Sequence, residues 1–476
     1  MKKLVSIILA CVMLLGMVSC ASGNGGETTG TPAQTSEPQD ETTTGGVTDE
    51  TTTGSTTSGD TTSGDTTGSD TTGSDTTTSD TTTTPPVVSN PIGVNMSDLD
   101  DLMKPIFYGN TIKNETVMFL DKGDTKTLLY PIDEIISVTS YDGRKVYKEG
   151  VDYSIVNGKL KVLENSSIPC MTKARYYNAN TNYMTKYNGQ MVPTYWGEFV
   201  MDDWQICVNY KHKTEWNEFK QESYDEIHEK LIKKLQNGEN VTFIFVGDSI
   251  STGSNASYNE NVYPYQHTYT MLFAEAIADL FDYTVKYINT NAELGKTAGV
   301  PTEDYVAGTR GTITYINTAV GGWNSEHLVQ NADRHILNYV NRYGCDLLVL
   351  AIGMNDGFEP MGTRNNLKTV ADRVLGISPN TSVTFITTMV CNPADVKRSA
   401  ASKANQRGEI YNLAEYYRES GFACGVSDMG SVSLAVLTRK DYRDFSGNNI
   451  NHCNDFFNRV YAQTLLQSVI GYENMN

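Results

Sequence analysis

Three apolar stretches of the sequence are each followed by a residue that suits ester hydrolysis: Ser249, Gly322 and Asn355. Such chemistry needs a nucleophile and hydrogen-bond donors for the oxyanion of the tetrahedral intermediate. The Ser249 hydroxyl is the candidate nucleophile. The Ser249 N–H, the Gly322 N–H and the Asn355 side-chain amide are the candidate donors. On its own, the Gly-Asp-Ser sequence that ends at Ser249 is weak evidence, because a strand-to-helix turn with an N-capping serine has the same pattern.

A histidine that can act as a general base stands near the end of the chain. His452 occurs in a polar loop directly before the last predicted helix. Two other histidines precede the predicted α/β region and two fall within a predicted helix, where surface or core roles are expected. His452 is therefore the candidate base for Ser249.

These residues need a scaffold that gathers the ends of several strands. Strand-like apolar runs alternate with helix-length segments in the second half of the chain. The runs cover 241–247, 284–290, 313–320, 345–353 and 383–390, and the helical segments lie near 264–281, 325–343, 364–377, 400–420 and 454–470. Near-continuous apolar strands separated by helices predict a parallel sheet covered on both faces. Reactive groups of such sheets lie at the carboxyl ends of the strands.

Four short motifs occur in the order of a known family. They are Gly247-Asp248-Ser249, Asn317-x-Ala319-x-x-Gly322, Gly353-x-Asn355-Asp356, and His452 followed by a helix. In this order and spacing, residues 238–472 resemble the SGNH (GDSL-type) esterase and lipase superfamily. The resemblance implies an α/β fold, namely a three-layer, flavodoxin-like α/β/α domain with a parallel sheet. It also implies a serine nucleophile, a histidine base, and neither a metal nor another cofactor.

One position departs from the family pattern. The family has an aspartate three residues before the histidine, whereas this chain has Asn449. An asparagine can accept a hydrogen bond from the imidazole but brings no negative charge. Three explanations are open: a Ser-His dyad oriented by Asn449 or by a backbone carbonyl, another carboxylate such as Asp444 or Asp455, or a weakly active member. The dyad is our preferred hypothesis because the other motifs are intact.

The first 20 residues predict export and lipid attachment. Two lysines precede an apolar run that is as long as a signal-peptide core and too short for a spanning helix. Residues 17–20 resemble a bacterial lipobox, which implies lipidation of the Cys20 thiol; an ordinary signal peptide is the alternative. We expect an exported protein at the bacterial cell surface, anchored to the membrane through Cys20.

The segment that follows predicts a disordered linker. Residues 21–90 are rich in Thr, Gly, Ser and Asp and contain 11 acidic residues and no Lys or Arg. Such a composition buries too little apolar surface to offset its conformational entropy. The whole chain has a net charge of -19, which argues against nucleic acid as a partner.

Two folded regions are expected after the linker. Residues 91–215 predict a small β-rich, sandwich-like domain, with a hairpin at Asn157-Gly158. This domain is either a carbohydrate-binding or substrate-shaping module, or a packing partner for the hydrolase domain over 216–476. Six cysteines follow Cys20 at wide spacings that indicate neither a disulfide framework nor a zinc site, so most are expected to be buried free thiols.

Together these features predict a serine esterase that removes acyl groups, in particular acetyl groups, from an extracellular polysaccharide. The expected partners are an acylated glycan or another ester substrate, and the membrane through the lipid anchor. One alternative is a lipase or broad acylhydrolase. Another is a catalytically weak surface protein that binds carbohydrate. Trp323, next to Gly322, is either a sugar-stacking residue or a core residue.

Overall fold

The computed structural model describes residues 102–178, 184–187, 190–193, 201–357, 359–393 and 400–471. The predicted signal peptide over 1–20, the lipidation site Cys20 and the predicted linker over 21–90 lie outside the described residues. Within the described part of the chain, no helix has both the length and the apolar character needed to cross a membrane.

The first described region contains three small antiparallel sheets. Its elements are β1 (Thr111–Met118), β2 (Thr125–Lys126), β3 (Glu134–Ser140), β4 (Tyr153–Val156), β5 (Lys159–Val162), α1 (Lys173–Asn178), β6 (Met184–Tyr187), β7 (Gln190–Pro193) and β8 (Gln205–Lys211). The sheets have the strand orders β1-β8-β3, β2-β5-β4 and β6-β7. Asn157 and Gly158 join β4 to β5 with φ of 52° and 72°. Both residues of a type I′ turn need positive φ, so the predicted hairpin is confirmed.

The rest of the chain alternates strands and helices. In chain order, this part begins with α2 (Glu229–Gln236), β9 (Val241–Gly247), α3 (Ser249–Thr252), α4 (Tyr269–Phe281), β10 (Tyr283–Ile288), α5 (Asn291–Leu294), β11 (Tyr305–Val306) and β12 (Gly311–Asn317). They are followed by α6 (Ser325–Ala332), a π-helical turn (Asp333–Leu337), α7 (Asn338–Tyr343), β13 (Leu347–Ala351), α8 (Pro360–Ile377), β14 (Ser382–Ile386), α9 (Ala400–Glu419), β15 (Cys424–Ser427), α10 (Met429–Leu437) and α11 (Asp455–Val469).

The seven strands from β9 to β15 form one mostly parallel sheet. Their order is β11-β10-β12-β9-β13-β14-β15, and only the pairing of the short edge strand β11 with β10 is antiparallel. Strand β9 lies between β12 and β13, so the carboxyl ends of these three strands are adjacent. Ser249, Gly322 and Asn355 follow these three strands in the sequence. The topology therefore brings the three predicted segments to one edge of the sheet.

Both faces of the sheet are covered, as β9 illustrates. Phe243 and Phe245 belong to a core shared with α4 and α11, whereas Ile244 and Val246 belong to a second core shared with α6, α8 and α9. This alternation follows from the two-residue period of a strand. The predicted α/β/α layering is confirmed. The first core also contains buried residues of β1, β3 and β8, so the antiparallel region and the α/β region share one hydrophobic interior.

A buried histidine near α2 should make stability depend on pH. His228 is fully buried between this segment and the sheet, and burial lowers its pKa to about 4. In the unfolded chain the pKa is about 6.5, so below that pH the unfolded state takes up a proton that the folded state does not. Stability present above pH 6.5 is therefore lost as the pH falls towards 4. Between about pH 7.5 and about pH 5, the loss in free energy of unfolding is about 2 kcal/mol.

Replacing His228 with glutamine removes this titration. We expect the His228→Gln variant to lose less stability than the wild type when both are unfolded by denaturant at the two pH values. Equal losses in the two proteins would contradict the assignment. The Thr384 hydroxyl lies 3.4 Å from Nε2 of the His228 ring.

Candidate active site

The chain turns sharply between β9 and the short helix α3. A side chain at Gly247 would collide with Ser251, which explains why this position needs glycine. The Asp248 carboxylate accepts a hydrogen bond from the Ile250 N–H at 2.9 Å and caps the helix. Ser249 is therefore the first residue of α3, fixed at the carboxyl end of β9, with 7% of its surface exposed.

The carboxyl group of Asp248 also joins this turn to the loop after β13. It accepts a hydrogen bond from the Met354 N–H and is completely buried. Burial raises its pKa to about 7; the nearby Asp356 adds to the rise and the Lys403 ammonium opposes it. One buried carboxyl group thus connects the segments that carry Ser249 and Asn355.

Ser249, His452 and Asn255 form a chain of hydrogen bonds. The Nε2 atom of His452 lies 2.8 Å from Ser249 Oγ, and its Nδ1 atom lies 2.6 Å from Asn255 Oδ1. An amide oxygen only accepts, so Nδ1 carries the proton and Nε2 presents its lone pair to the serine hydroxyl. This is the tautomer that a general base for the serine needs.

Asn255 lies in the loop that follows α3. Its backbone is left-handed and is held by contacts with neighbouring residues. Its φ is 64°, a left-handed conformation that asparagine tolerates better than most residues. Its N–H donates to Glu260 Oε1 at 3.0 Å. A side chain at Gly447 would collide with Asn255, so the loop that carries His452 packs closely against it. Asn255 was not predicted from the sequence: Gly253 and Asn255 mark a turn after Ser249, but no local pattern shows which histidine contacts that turn.

Asn449, the residue predicted to orient His452, has other side-chain partners. Its Nδ2 donates to Tyr176 Oη at 2.9 Å, and its Oδ1 accepts from Asn392 Nδ2 at 3.2 Å. Its φ of 56° is also left-handed. The geometry therefore places Asn255, rather than Asn449, at Nδ1 of the histidine, and the partners of Asn449 come from α1 and from the loop after β14.

The two carboxylates considered as substitutes also point elsewhere. Asp444 Oδ1 accepts from the Met118 N–H at 2.9 Å. Asp455 Oδ1 accepts from the Ser257 N–H at 2.8 Å, and burial raises the pKa of this carboxyl group. The hydrogen-bond partner of His452 Nδ1 is thus an uncharged amide.

Gly322 lies on a tight turn after β12. The Trp323 N–H donates to the Val320 carbonyl at 3.3 Å, and Gly322, the third residue of the turn, has a φ of 81°. A type II turn requires a positive φ there, which favours glycine. A Cβ atom added to the neighbouring Gly321 would lie 3.9 Å from the Cβ of Ser249. The turn therefore lies beside Ser249.

Asn355 follows β13 in a loop that is fixed from both sides. Its Nδ2 donates to the Trp323 carbonyl at 2.9 Å, which links it to the Gly322 turn. Beneath the loop, the Nζ atom of Lys403 donates to the Gly353 and Met354 carbonyls at 2.5 and 3.1 Å. Lys403 is almost completely buried, with 3% exposed, and its role was not predicted from the sequence. Each hydrogen of the Asn355 amide can donate once, so one remains for a ligand.

Three other expectations from the sequence concern Trp323, the cysteines and possible metal ligands. The indole of Trp323 is half-buried, and its ring centroid lies 4.6 Å from that of His335, against the second core. The six cysteines after Cys20 are all free, and five of them are buried, as expected. Among the described residues, no group of three or more His, Cys, Asp or Glu side chains could hold a metal ion.

Several solved structures are similar to about half of this chain. One solved structure is a two-domain esterase active on acetylated mannans, co-crystallised with mannopentaose; the match has 16% identity and a TM-score of 0.37, and covers 52% of this chain and 53% of that one. A lipase/acylhydrolase from Enterococcus faecalis matches with 15% identity and a TM-score of 0.33, over 48% and 94% of the two chains. An acetyl xylan esterase matches with 16% identity and a TM-score of 0.33, over 47% and 98%.

The match to the two-domain esterase thus covers only about half of that protein. No curated protein matches the sequence. A family model described as GDSL-like Lipase/Acylhydrolase matches residues 243–460, which include Ser249, Asn255 and His452. Residues 243–460 therefore belong to the GDSL-like lipase/acylhydrolase family.

Proposed function

We propose that this protein is a serine ester hydrolase with a Ser249–His452–Asn255 catalytic triad. The observation that carries the proposal is the continuous hydrogen-bond chain from Asn255 Oδ1 through the imidazole to Ser249 Oγ, at 2.6 and 2.8 Å. The family match over 243–460 supports the same chemistry.

The reaction proceeds in two halves that use the same imidazole. In the first, Ser249 Oγ attacks the ester carbonyl carbon and its proton passes to His452 Nε2. The C–O bond to the alcohol then breaks, and the alcohol leaves with that proton. In the second, a water molecule gives a proton to Nε2 and attacks the acyl carbon, after which the carboxylic acid leaves and Ser249 regains its proton.

The oxyanion of both tetrahedral intermediates needs fixed donors. We assign these to the Ser249 N–H, the Gly322 N–H and the free hydrogen of the Asn355 amide. The type II turn and the Lys403 contacts hold the second and third donors before substrate binds, which is the condition under which such donors accelerate the reaction most.

Asn355→Ala is expected to lower kcat for an aryl acetate by about 10²–10³-fold with a much smaller change in KM. The reason is that the amide contacts charge that develops only in the transition state. Steady-state kinetics on the purified protein measure both constants. Asn331→Ala is the control and should keep wild-type values, because the Asn331 amide donates to the His327 carbonyl within α6. A KM effect without a kcat effect would assign Asn355 to substrate binding instead.

The proposed substrate is an acetylated polysaccharide outside the cell. A pocket of about 410 Å³ is lined by Tyr258, Asn259, Asn261 and Tyr265, which follow Asn255 in the chain, and by Gly299. Tyr258 is three residues after Asn255, so their Cα atoms are at most about 11 Å apart. Aromatic rings and amides suit the apolar faces and the hydroxyl groups of sugars, and the lining has no charged side chain. Lipid anchoring through Cys20 would hold the enzyme at the bacterial cell surface, where such polymers occur.

The test is acetate release from acetylated xylan and acetylated mannan, run beside an aryl acetate and an aryl ester of a long acyl chain. We expect release from at least one polymer, and none with Ser249→Ala. Activity on the long-chain ester alone would instead support the lipase alternative. Glycan binding by the wild type without turnover of any ester would support a carbohydrate-binding protein.

A further inference from the structure

The loop that carries His452 is fastened to the antiparallel region. We call residues 438–454, between α10 and α11, the histidine loop. Apart from a 3₁₀ turn at Tyr442–Asp444, it has no helix or longer strand of its own. Loops of this kind depend on neighbouring elements for a fixed geometry. Strands β1 and β8 are those neighbours, and they belong to the region whose role the sequence left open.

Gln205, the first residue of β8, contacts the histidine loop through both Nε2 and Oε1 of its side-chain amide. Its Nε2 donates to the Arg443 and Ser446 carbonyls at 2.8 and 2.9 Å, and its Oε1 accepts from Asn454 Nδ2 at 3.0 Å. Only 1% of its surface is exposed. Ser446 in turn donates from Oγ to the carbonyl of His452 at 2.9 Å. Gln205 is therefore two hydrogen bonds away from the backbone of the histidine.

Thr116 makes equivalent contacts from the adjacent strand β1. Its Oγ1 donates to the Asp444 carbonyl at 2.6 Å and accepts from Asn454 Nδ2 at 2.8 Å. The next alternate residue of β1, Met118, donates its N–H to Asp444 Oδ1 at 2.9 Å. Met118 pairs with Gln205 across the two strands, so one short stretch of sheet holds both ends of the loop.

Buried charges reinforce the same interface. Glu115 and Lys440 form an ion pair in which both side chains are fully buried. The Nζ atom of Lys440 also donates to the Thr116 carbonyl at 2.7 Å. Lys126 of β2 pairs with the buried Asp444 carboxylate at 3.0 Å. Ion pairs without solvent tolerate little displacement, because a separated partner would remain charged in the interior.

We propose that the antiparallel region is a positioning element of the catalytic centre, with Thr116 and Gln205 as positioning residues. The contacts of β1 and β8 keep the histidine loop where Nε2 of His452 reaches Ser249 Oγ at 2.8 Å. A displacement of about 1 Å at a reacting group can lower a rate about 10²-fold. This inference rests on the proposed function, since it concerns the same histidine.

Two mild substitutions in the full chain test the proposal. Thr116→Val keeps the shape of the side chain and removes its hydroxyl, and Gln205→Met keeps the length and removes the amide. Each is expected to lower kcat for an aryl acetate about 10-fold or more, with KM changed by less than about threefold, because the binding surface is untouched. Thr116→Ser restores the hydroxyl and should recover most of kcat.

The control separates positioning from general stability. Asp152 lies in the same region and accepts hydrogen bonds from Lys148 N and from Ser167 N and Oγ, at 3.0, 2.8 and 2.8 Å. Asp152→Leu removes these bonds, whose partners Lys148 and Ser167 belong to the antiparallel region and not to the histidine loop. We expect it to lower the Tm while kcat below that Tm stays within about twofold of the wild type.

A second measurement does not depend on activity. Hydrogen exchange followed by mass spectrometry should show faster exchange in peptides from 438–454 for Thr116→Val and Gln205→Met, and unchanged exchange there for Asp152→Leu. Wild-type kcat in both positioning variants, or unchanged exchange of the histidine loop, would overturn the proposal. If the wild type hydrolyses no ester, the proposed function fails, and the exchange data still decide whether the antiparallel region holds the loop.

Discussion

Ser249→Ala is expected to lower kcat by about 10⁶-fold, the scale seen when a serine hydrolase loses its nucleophile. In the proposed reaction the hydroxyl oxygen of Ser249 bonds to the acyl carbon, and this oxygen lies 2.8 Å from His452 Nε2. The measurement is the initial rate of aryl acetate hydrolysis by the full chain, at substrate concentrations well above the KM of the wild type.

The matched control for this substitution is Ser251→Ala on the same helix. Ser251 Oγ forms a hydrogen bond with Tyr269 Oη at 2.6 Å. We expect this variant to retain activity and to lose some stability. Appreciable turnover by Ser249→Ala, with the purified wild type no faster, would show that another group is the nucleophile.

Asn255→Ala is expected to lower kcat by about 10³-fold. Without the amide oxygen, the imidazole can rotate or adopt the tautomer that has its proton on Nε2, and it then no longer accepts the proton of Ser249. The control is Asn449→Ala. Both asparagines have left-handed backbones, with φ of 64° and 56°, so both substitutions impose a similar backbone strain. Only the first removes a partner of the histidine, and a larger loss of kcat for Asn449→Ala would reverse the assignment.

Asn255→Asp tests the consequence of an uncharged third member. A carboxylate beside Nδ1 stabilises the imidazolium and raises the pKa of His452. Since the neutral imidazole is the base, the acid limb of kcat/KM should then move to higher pH, by about one pH unit. Asn449→Asp should leave that limb in place. An unchanged limb in Asn255→Asp would show that the new carboxylate does not face the histidine.

The sequence could predict the parallel sheet and the proximity of Ser249 to His452. The apolar run over 241–247 predicted strand β9 and its end at Gly247, and all seven residues of that strand are buried. The pairing of Ser249 with His452 was predicted from the order of the family motifs, and the two side chains lie 2.8 Å apart. Strand β15 was not predicted, because its four residues, Cys424–Ser427, include a glycine and a serine and form no apolar run.

Asn255 was not predictable for a different reason. Its partner His452 is 197 residues away in sequence, and their contact depends on how two loops pack. The aspartate position of the family pattern pointed to Asn449, whose side chain is taken by Tyr176 of α1. Nothing local to the histidine motif reveals that partner, because it belongs to a region separated from it by 273 residues.

The attachment of the histidine loop to β1 also determines when, during synthesis, the protein can become active. Thr116 is made early in the chain, and its partners Asp444 and Asn454 follow 328 and 338 residues later. Contacts of such long sequence separation form late in folding. Chains that are incomplete, or that have not yet joined their first strands to their last loop, should therefore be inactive. We therefore expect activity to arise only after the contacts between β1 and the histidine loop have formed.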